Sequence, residues 1–455
     1  MKISSVKSDI LSQMLNVYAA ILRVSRIIKT RKQTSLSALF LPPAAPGSLG
    51  DEAMLVAGMK SLANQGVQQL GIIAFYSLEE WKHLALVTDT INMRDYFTGA
   101  RMFWKDQFRF VRLVSRYDYL YCLGADMMDG FYSDNSTLRR THLAALAAST
   151  GANTAILGFS FNEQPTPVSV KHLSELPASV RLCCRDPISH KRLTRYVKRS
   201  VDLVADVAFL LEPAKDSNLA ARVSKWIRDQ QAAGQTVIGV NANFLTFQSR
   251  PNLEVGDFVK LYVDALIELF YEDQTLSFLM IPHDFRGKNS DVALAKAILK
   301  ALPSAIKPYC MQVPTPCSAA EIKSICTDLD IVLTGRMHLA IACLSQGTPV
   351  VGIPYQGKFE GLFDHFELQG MTSAPEQAFQ PGYLASFLAA TIPKRKDIRE
   401  HIHSKLAKVK ALASSNFASA EPWLVPDANP KKPIHTVWLG VTKKGLGIKV
   451  LPPNP

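Results

Sequence analysis

The sequence predicts an α/β protein in which two Rossmann-like domains with parallel sheets face each other across a cleft. The chain has 455 residues, which is more than one compact core usually holds. Short apolar runs alternate with helical patterns, as they do in βαβ units. The alternation stops near Glu212-Pro213 and starts again at Val237, so it divides the chain into two halves. We therefore expect one domain over residues 36–212 and a second over residues 213–395.

Residues 1–35 precede this alternation and predict a basic amphipathic helix. Apolar residues recur there at helical spacing, and basic residues collect toward the end of the segment. The apolar positions are Leu11, Met14, Leu15, Tyr18, Ile21 and Leu22, and the basic ones are Arg23, Arg26, Lys29, Arg31 and Lys32. Such a helix can lie on an anionic membrane surface. It can equally pack on the protein's own surface, and the sequence leaves both arrangements open.

In the first domain, apolar runs of strand length predict a series of buried parallel strands. They cover residues 37–41, 70–75, 117–123, 154–158 and 180–184, with helices at 51–62 and 137–149. Arg185 follows the last of these strands, and ligands bind beyond the carboxyl ends of parallel strands. Arg185 and Asp186 can instead cap a helix that begins near Pro187. We favour the ligand-binding interpretation, because a doubly charged ligand needs more than one cation.

The second domain repeats the pattern, and its most informative stretch is residues 330–362. Strands are predicted at 237–241, 276–281, 331–333 and 350–353, and helices at 257–271, 319–327 and 336–344. Arg336 and His338 stand in the first turn of the last helix, directly after a strand and Gly335. A helix N-terminus favours anions, arginine can fork onto a carboxylate or phosphate, and histidine can move a proton. Alternatively, Arg336 pairs with a carboxylate and His338 is a structural helix residue. Because both residues fall at a strand-to-helix junction beside a glycine, we predict a site for a small, highly charged substrate. No carboxylate partner is evident beside Arg336.

Composition excludes several other classes of function. The net charge of +12 indicates anionic partners, but no recognition helix, zinc finger or aromatic-basic motif supports nucleic-acid binding. The seven cysteines are odd in number and form no CxxC, so they predict buried thiols rather than disulfides or zinc ligands. No HExxH motif and no DxD motif in a cleft loop occurs, so we expect neither a metal nor a cofactor. No uncharged apolar run reaches roughly 18 residues and no signal peptide is evident, so we expect a cytoplasmic protein.

Residues 396–455 form a C-terminal segment with fewer strong patterns. A basic helix is predicted over residues 394–413. A tail rich in proline and lysine follows, with a stray strand near 437–441. We expect this tail to be poorly ordered or peripheral.

Residues 330–362 resemble the most characteristic block of the polysaccharide pyruvyl transferase family, whose enzymes move pyruvate from phosphoenolpyruvate onto sugar hydroxyls. The resemblance is carried by the Arg336-Met337-His338 triplet, the Gly347-Thr348-Pro349-Val350 strand and the Lys358-Phe359 pair. A weaker likeness extends from about Pro46 to about Leu368. The resemblance implies a GT-B-like arrangement of the two domains.

The resemblance also implies a set of ligand-binding residues. Residues 47–51 fit a Gly-x-x-Gly-Asp loop, and residues 185–189 fit an Arg-Asp-x-x-Ser block. The substrate-binding residues predicted in this way are Gly47, Gly50, Asp51, Ser160, Arg185, His283, Arg336 and Lys358. His283 either reaches the cleft or holds its loop through Asp284. Family members carry several glycines where this chain has only Gly124, so the resemblance leaves open whether that loop contacts a ligand.

The resemblance assigns the chemistry to phosphoenolpyruvate as the donor substrate. Arg185 and Arg336 would hold its carboxylate and phosphate, and the predicted catalytic residues are Arg336 and His338. Histidine titrates near pH ~6.5 when unperturbed, which suits a general acid or base. Protonation of the methylene carbon and deprotonation of a sugar hydroxyl are both steps that His338 could serve.

The leading interpretation is a pyruvyl transferase of cell-surface polysaccharide, or exopolysaccharide, synthesis. Its partners would be phosphoenolpyruvate and a sugar or glycan acceptor. A lipid-linked acceptor would place the enzyme on the anionic inner face of the membrane as a peripheral protein. One alternative is a GT-B glycosyltransferase that uses a nucleotide sugar, which predicts stabilisation by nucleotides. Another is a non-catalytic anion- or glycan-binding protein, which predicts tight binding without phosphate release.

Overall fold

Two parallel β-sheets organise the chain. The structure is a computed structural model that describes residues 2–29, 35–100, 103–246, 254–353, 358–374, 376–418, 439–442 and 445–448. Helices flank both sheets, and a separate antiparallel pair of short strands lies near the C-terminus. The prediction of an α/β protein with two parallel sheets is confirmed.

The first sheet has seven strands in the spatial order β3-β2-β1-β4-β5-β6-β7. They are β1 (Leu36–Leu41), β2 (Val67–Ala74), β3 (Asp89–Asn92), β4 (Tyr119–Leu123), β5 (Asn153–Phe159), β6 (Val180–Cys184) and β7 (Asp202–Leu203). Every residue of β1 after Leu36 is buried, which explains why this strand appears in the sequence as a continuous apolar run. The strand order reverses between β1 and β4, and such a reversal opens a crevice at the carboxyl ends of the strands.

The second sheet has five strands in the order β10-β9-β8-β11-β12. They are β8 (Thr236–Asn241), β9 (Leu276–Met280), β10 (Cys310–Gln312), β11 (Ile331–Thr334) and β12 (Val350–Gly352). Here the order reverses between β8 and β11, and Thr334 at the end of β11 pairs in register with Asn241 at the end of β8. The crevice of this sheet therefore lies beside the loop that leads from β11 to Arg336.

The helices connect these strands. They are α1 (Lys2–Lys29), α2 (Leu49–Asn64), α3 (Arg94–Thr98), α4 (Phe103–Val114), α5 (Asp134–Ser149), α6 (Pro167–Ser174), α7 (Pro187–Tyr196), α8 (Asn218–Ala232), α9 (Val255–Glu272), α10 (Asp291–Ala301), α11 (Ala319–Cys326), α12 (Met337–Leu344), α13 (Phe359–Asp364), α14 (Tyr383–Thr391) and α15 (Arg395–Ser414). Short 3-10 helices cover Val207–Leu210, Phe244–Thr246, Lys307–Tyr309, Ile392–Lys394 and Ser415–Phe417. Capping side chains begin several helices: the Asp186 carboxylate accepts a hydrogen bond from the Ser189 N–H of α7 at 2.7 Å.

Each predicted strand is present, with ends that lie within three residues of the predicted ones. The sequence analysis does not predict β3, β7 and β10, which have two to four residues each. β3 and β10 form sheet edges, and most of their residues are only half buried. An edge strand of this kind lacks the continuous apolar run that identifies a buried strand.

The two sheets are joined by direct hydrogen bonds between their loops. The Leu49 N–H donates to the His283 carbonyl at 3.1 Å, and the Phe285 N–H donates to the Gly47 carbonyl at 2.9 Å. After α15 the chain returns to the first sheet, where the Asn416 amide donates to the Ala205 carbonyl at 2.8 Å. The loops after β1 and β9 are therefore held against each other. The domain boundaries at residues 212 and 395 stay predictions.

The N-terminal helix α1 packs on the first domain through one face. Leu15 and Ala19 are buried against α4 and α5, and the Tyr18 ring lies 5.9 Å from the ring of Phe108. Arg26 pairs with Asp118 at 3.1 Å. The apolar stripe predicted from residues 11–22 is therefore divided between an inner and an outer side of the helix.

The outer side of α1 keeps apolar residues in solvent. We call Met14, Val17, Ile21 and Val24 the outer stripe; they are 55–60% exposed. The neighbouring helix α4 and the turn after it present exposed basic residues at helical spacing. This basic stripe consists of Lys105, Arg109, Arg112 and Arg116. The surface thus places an apolar stripe beside a cationic one, while membrane association stays a prediction.

The described part of the C-terminal segment includes α15 and one strand pair. β13 (Leu439–Thr442) pairs with β14 (Gly445–Ile448) in antiparallel register, and β13 overlaps the predicted stray strand. The rest of the predicted tail lies outside the described residues, so the expectation about its order stays a prediction.

Candidate active site

A cavity of about 310 Å³ lies between the two domains at the carboxyl ends of both sheets. Both halves of the chain contribute to its wall. The lining residues are Pro43, Ala44, Ser48, Asp51, Asp126, Met127, Tyr132 and Arg185 from the first half, and Asn243, His283, Arg286, Gly335, Arg336, Met337, His338, Lys358 and Phe359 from the second. Six of the predicted site residues therefore meet here: Asp51, Arg185, His283, Arg336, His338 and Lys358.

Arg336 is held at the N-terminus of α12 by its backbone and its side chain. Its N–H donates to the Thr334 hydroxyl at 2.8 Å. Its Nη2 and Nε contact the two carboxylate oxygens of Asp291 at 2.7 and 3.2 Å, and Nη1 lies 3.3 Å from Asp284. The expectation that Arg336 has no carboxylate partner is therefore wrong. Asp291 begins α10, far from Arg336 in the sequence, so inspection of the flanking residues could not reveal the pair.

Arg185 is buried and fixed by two side chains of the first domain. Its Nη1 lies 2.9 Å from the Asp206 carboxylate, and its Nε donates to the Ser160 hydroxyl at 2.7 Å. Burial acts to lower the pKa of Arg185, but Asp206 and the other nearby carboxylates outweigh it and raise that pKa. Ser160 thus contacts Arg185, and it is not among the residues that line the cavity. Asp186 caps α7, as the alternative interpretation expected, while the ligand-binding role of Arg185 stays a prediction.

His338 approaches the same carboxylate from the second domain. Its Nε2 lies 3.6 Å from Asp206 Oδ2, slightly beyond hydrogen-bond distance. Burial acts to raise the pKa of Asp206, but His338 and Arg185 outweigh it and lower that pKa to about 2. Asp206 therefore stays ionised and links an arginine of one domain to a histidine of the other. Sequence reasoning missed Asp206, which lies in a loop before a short 3-10 helix.

The predicted Gly-x-x-Gly-Asp loop lies under the His338 ring. A Cβ at position 50 would overlap the imidazole of His338, so only glycine fits there without a shift. Gly47 has a φ of +122°, which glycine tolerates best, and its carbonyl bonds the second domain. Gly47 and Gly50 thus shape the contact between domains, and Ser48 and Asp51 line the cavity.

Asp51 adds a carboxylate at the start of α2. Its side chain lies 3.7 Å from Nη1 of Arg286. Burial raises the pKa of Asp51, and the nearby His338 and Arg286 offset only part of that rise. The pKa of Asp51 is therefore raised, whereas that of Asp206 is lowered.

His283 both reaches the cavity and belongs to a loop that Asp284 holds. Burial, together with the nearby His338 and Arg336, lowers the pKa of His283 to about 3, so its imidazole is neutral near pH 7. Asp284 accepts hydrogen bonds from Arg286, with Nη2 at 2.6 Å and Nε at 3.0 Å. Both possibilities for this loop are therefore observed together.

Lys358 reaches across the cleft to the first domain. Its Nζ lies 3.1 Å from Asp126 and 5.5 Å from the centre of the Tyr132 ring. The Tyr132 hydroxyl donates to the same Asp126 carboxylate at 2.9 Å. Burial acts to raise the pKa of Asp126, but Lys358 and Arg185 outweigh it and hold that pKa below its ordinary value. Asp126, Met127 and Tyr132 of the loop after β4 line the cavity, a position that the sequence left open for this loop.

Two other cavity residues could have been found from their positions after strands. Asp126 follows β4 and Asn243 follows β8, each within three residues of the strand end. Polar residues directly after parallel strands are the signal that identifies Arg185, and the same rule applies to these two. Tyr132 and Arg286 lie six or more residues after their strands, so the rule does not select them.

The charges at this site suit a small anion. Four cationic side chains line the cavity, Arg185, Arg286, Arg336 and Lys358, against two carboxylates, Asp51 and Asp126. Asp206, Asp284 and Asp291 pair with the arginines but are not part of the lining. Charge-assisted bonds from arginine bind carboxylate and phosphate groups strongly, and His338 adds a group that can exchange a proton. Among the described residues, no group of three or more His, Cys, Asp or Glu side chains could hold a metal ion. Independence from metals and cofactors stays a prediction.

Comparison with known proteins agrees with this architecture. The family model for polysaccharide pyruvyl transferase matches residues 49–357. A search of curated protein sequences found no significant match. Among solved structures, Anabaena HepE, determined in complex with UDP-glucose, has 12% identity and a TM-score of 0.51, covering 84% of this chain and 98% of that chain.

Other solved structures give the same result. A glycosyltransferase from Rickettsia africae has 12% identity and a TM-score of 0.50, covering 84% of this chain and 97% of that chain. The N-terminal domain of a trehalose-6-phosphate phosphatase from Candida albicans has 10% identity and a TM-score of 0.50, covering 84% and 96%. These matches share the fold of two facing Rossmann-like domains, so the predicted GT-B-like arrangement is confirmed. At this level of identity the likeness shows the fold alone.

Proposed function

The chain belongs to the polysaccharide pyruvyl transferase family, and we propose that it transfers pyruvate from phosphoenolpyruvate to sugar hydroxyls of a cell-surface polysaccharide. One observation carries the proposal. Arg185 and Arg336 come from different domains, yet they line one cavity together with His338. Two guanidinium groups and one imidazole therefore surround the same cavity. This arrangement supports the proposal, because a small, highly charged donor needs cations on more than one side and a group that can exchange a proton.

Phosphoenolpyruvate presents a carboxylate and a phosphate to the cavity. A guanidinium has five N–H donors, and the contacts of Arg185 with Asp206 and Ser160 use two of them. Asp291 fixes the orientation of Arg336 in the same way. Because both forks are held by buried partners, little side-chain freedom is lost when they bind the donor. Arg286 and Lys358 supply further positive charge at the wall.

The reaction requires balanced proton transfers. The methylene carbon C3 of the donor gains a proton, which makes C2 electrophilic, and one sugar hydroxyl loses its proton as its oxygen bonds to C2. A second hydroxyl then loses a proton and bonds to C2, while the C2–O bond to phosphate breaks and phosphate leaves. The product is a cyclic pyruvate ketal, and the released phosphate takes up the remaining proton.

His338 is the group that we assign to these proton transfers. Asp206 lies on its Nε2 side and Gly50 beneath its ring, so both fix where the imidazole stands. His283 is neutral near pH 7 and suits a hydrogen bond to the substrate rather than cation binding. Loss of one positioned acid or base typically costs about 10²–10⁴-fold in rate.

The experiment that tests this proposal is incubation with phosphoenolpyruvate and a panel of glycans. Phosphate release together with a pyruvate-sized gain in glycan mass is the expected result. Stabilisation by nucleotides instead of phosphoenolpyruvate would favour a glycosyltransferase, a possibility raised by the neighbour determined with UDP-glucose. Tight binding of phosphoenolpyruvate with no phosphate release on any glycan would favour a non-catalytic binding protein.

The same proposal includes a peripheral position on the inner face of the membrane, with a lipid-linked acceptor. None of the described helices is both long and apolar enough to cross a membrane. The outer stripe of α1 and the basic stripe of α4 support surface binding, because an interfacial helix buries apolar side chains while cations attract anionic lipids. Each basic residue near such a surface contributes on the order of 1 kcal/mol, an effect that salt screens.

A further inference from the structure

Two aromatic side chains stand in solvent beside the cavity. Phe131 is 59% exposed and Tyr132 is 44% exposed, and their rings contact each other edge to face with centroids 5.2 Å apart. Tyr132 also lines the cavity, so the pair lies at its opening. Large apolar side chains that remain exposed next to a pocket commonly mark a ligand surface.

The loop that presents these rings is fixed by buried polar groups. The Asp129 carboxylate is buried, and it accepts hydrogen bonds from the Phe131 N–H at 3.0 Å and the Asn162 N–H at 3.2 Å. Gly130 has a φ of +82°, a conformation that glycine adopts without strain. The Tyr132 hydroxyl bonds Asp126. The rings are therefore held in place rather than left in solvent by a loose segment.

We propose that Phe131 and Tyr132, together with the Asp126 carboxylate, form the subsite that holds the acceptor sugar. This inference rests on the proposed function, since it assigns the second substrate of that reaction. A sugar ring has apolar C–H faces that pack on aromatic rings and hydroxyl groups that donate to carboxylates. The three side chains offer both kinds of contact within one short loop.

The position of this subsite follows from the charges around it. The anionic donor needs the arginines, and Arg185 and Arg336 lie deeper in the protein than the two aromatic rings. Asp126 remains ionised because Lys358 and Arg185 outweigh its burial and lower its pKa, so it would repel a phosphate but accept a bond from a neutral sugar hydroxyl. Lys358 contacts both Asp126 and the Tyr132 ring, which connects the subsite to the catalytic cavity.

The test uses Phe131→Ala in the full-length protein, with Tyr271→Ala as the matched control. Tyr271 has the same exposed fraction, 59%, but it lies at the end of α9, outside the cavity lining. The probes are methyl glycosides of glucose, galactose, mannose and their N-acetylamino derivatives. Their binding is measured directly without donor, and the KM for the glycoside that gives most phosphate release is measured with donor.

We expect Phe131→Ala to weaken glycoside binding and raise the acceptor KM about 3- to 10-fold, the range for loss of one aromatic contact. The dissociation constant for phosphoenolpyruvate should stay within twofold of the wild type, and Phe131→Trp should retain glycoside affinity. Tyr271→Ala should change neither quantity. Tyr132→Phe keeps the ring and removes the hydroxyl that bonds Asp126, so its effect should be smaller.

The two proposals fail in different ways. Equal glycoside affinity in Phe131→Ala and the wild type, or no glycoside binding to the wild type, overturns the subsite. Equal weakening of glycoside and phosphoenolpyruvate binding also overturns it, because the ring would then support the whole site. Failure of the wild type to bind phosphoenolpyruvate, with glycoside binding still dependent on Phe131, refutes the donor and leaves the sugar subsite supported.

Discussion

Replacement of Arg336 by lysine tests the role of the cation at the start of α12. The side chain of Arg336 is 15% exposed and makes two contacts with Asp291 and one with Asp284. A lysine ammonium keeps the positive charge beside the buried Asp291 carboxylate, but it cannot reproduce the planar fork. Arg336→Lys therefore removes the two-pronged hydrogen bonding that we expect the donor to need, while a positive charge still neutralises the buried Asp291 carboxylate.

The expected size of the effect follows from the bonds that are lost. A hydrogen bond to a charged group contributes about 1.5–3 kcal/mol, so the dissociation constant for phosphoenolpyruvate should rise about 10- to 150-fold. Arg336→Ala is a poorer test, because it leaves Asp291 buried without its partner. Removal of one member of a buried ion pair costs about 3–5 kcal/mol of folding stability, which would obscure a binding effect.

Titration calorimetry with phosphoenolpyruvate measures the binding change, and thermal unfolding checks that the variant is folded. Arg228→Lys is the matched control, since Arg228 pairs with Asp328 at 3.3 Å on the exposed surface of the same domain. Surface pairs of this kind contribute about 0–1 kcal/mol, so this control should bind the donor normally. If Arg336→Lys binds phosphoenolpyruvate as tightly as the wild type, Arg336 does not hold the donor.

Four other predictions concern the proton-transfer site, metal dependence and the membrane surface. Asp206→Asn should lower turnover by about 10²-fold or more, and it should also lower folding stability because it leaves the buried Arg185 without its carboxylate, so turnover is compared per mole of folded protein. Because the pKa of Asp206 is lowered from 3.8 to about 2, its ionised carboxylate contributes fully to the free energy of unfolding above about pH 4. This contribution is lost as the pH falls toward 2. Urea unfolding from pH 5 to 2 should show the loss in the wild type and not in the variant. Gly50→Ala should displace His338 and lower turnover about 10²-fold. Gly256→Ala is the control and should leave turnover unchanged, because a Cβ there meets no atom within 4 Å. Equal activity of the two variants would exclude the proposed contact between residue 50 and His338. Exhaustive chelation should leave full activity, and a loss that magnesium or manganese restores would contradict this. Substitution of the outer stripe by glutamine should abolish sedimentation with anionic vesicles while turnover on a soluble acceptor persists; an earlier thermal transition would instead assign the stripe to the protein core.

Truncation of the N-terminal helix is less informative than substitution of its outer stripe. Leu15 and Ala19 are buried against the first domain, and Arg26 pairs with Asp118. Deletion would uncover apolar surface and leave Asp118 without this partner, so the truncated protein would lose stability whatever the helix does at a membrane. The structure thus changes how the membrane prediction is tested without deciding it.

The sequence was sufficient to predict the parts of the fold that depend on local patterns. Buried strands such as β6 and β9 appear as apolar runs of the right length, because both faces of a parallel sheet are covered. The rule that ligands bind beyond strand ends then places Arg185 and Arg336 in the same cavity, although they are remote in the sequence. Topology supplies this proximity, since the carboxyl ends of both sheets face the cleft.

The carboxylate partners could not be predicted by the same reasoning. Asp206 and Asp291 contact the two arginines from a 3-10 helix and from α10, and neither lies near its partner in the chain. Ion pairing between distant elements depends on how those elements pack, which hydrophobic periodicity does not encode. The sequence thus identifies which cations face the cleft, whereas their pairing requires the three-dimensional structure.

The pairing also explains why the proposed chemistry belongs to the space between the domains. Arg185 and Asp206 come from the first domain, His338 comes from the second, and the 3.6 Å approach of His338 to Asp206 exists only while the domains are in contact. The bonds of the Leu49 N–H to the His283 carbonyl and the Phe285 N–H to the Gly47 carbonyl fix that contact beside the cavity. A separation of the domains would remove the carboxylate from His338 while leaving Arg185 on Asp206. One buried carboxylate therefore contacts both Arg185, a proposed donor-binding residue of the first domain, and His338, the proposed proton-transfer residue of the second, so Asp206→Asn should lower turnover and also weaken donor binding through Arg185.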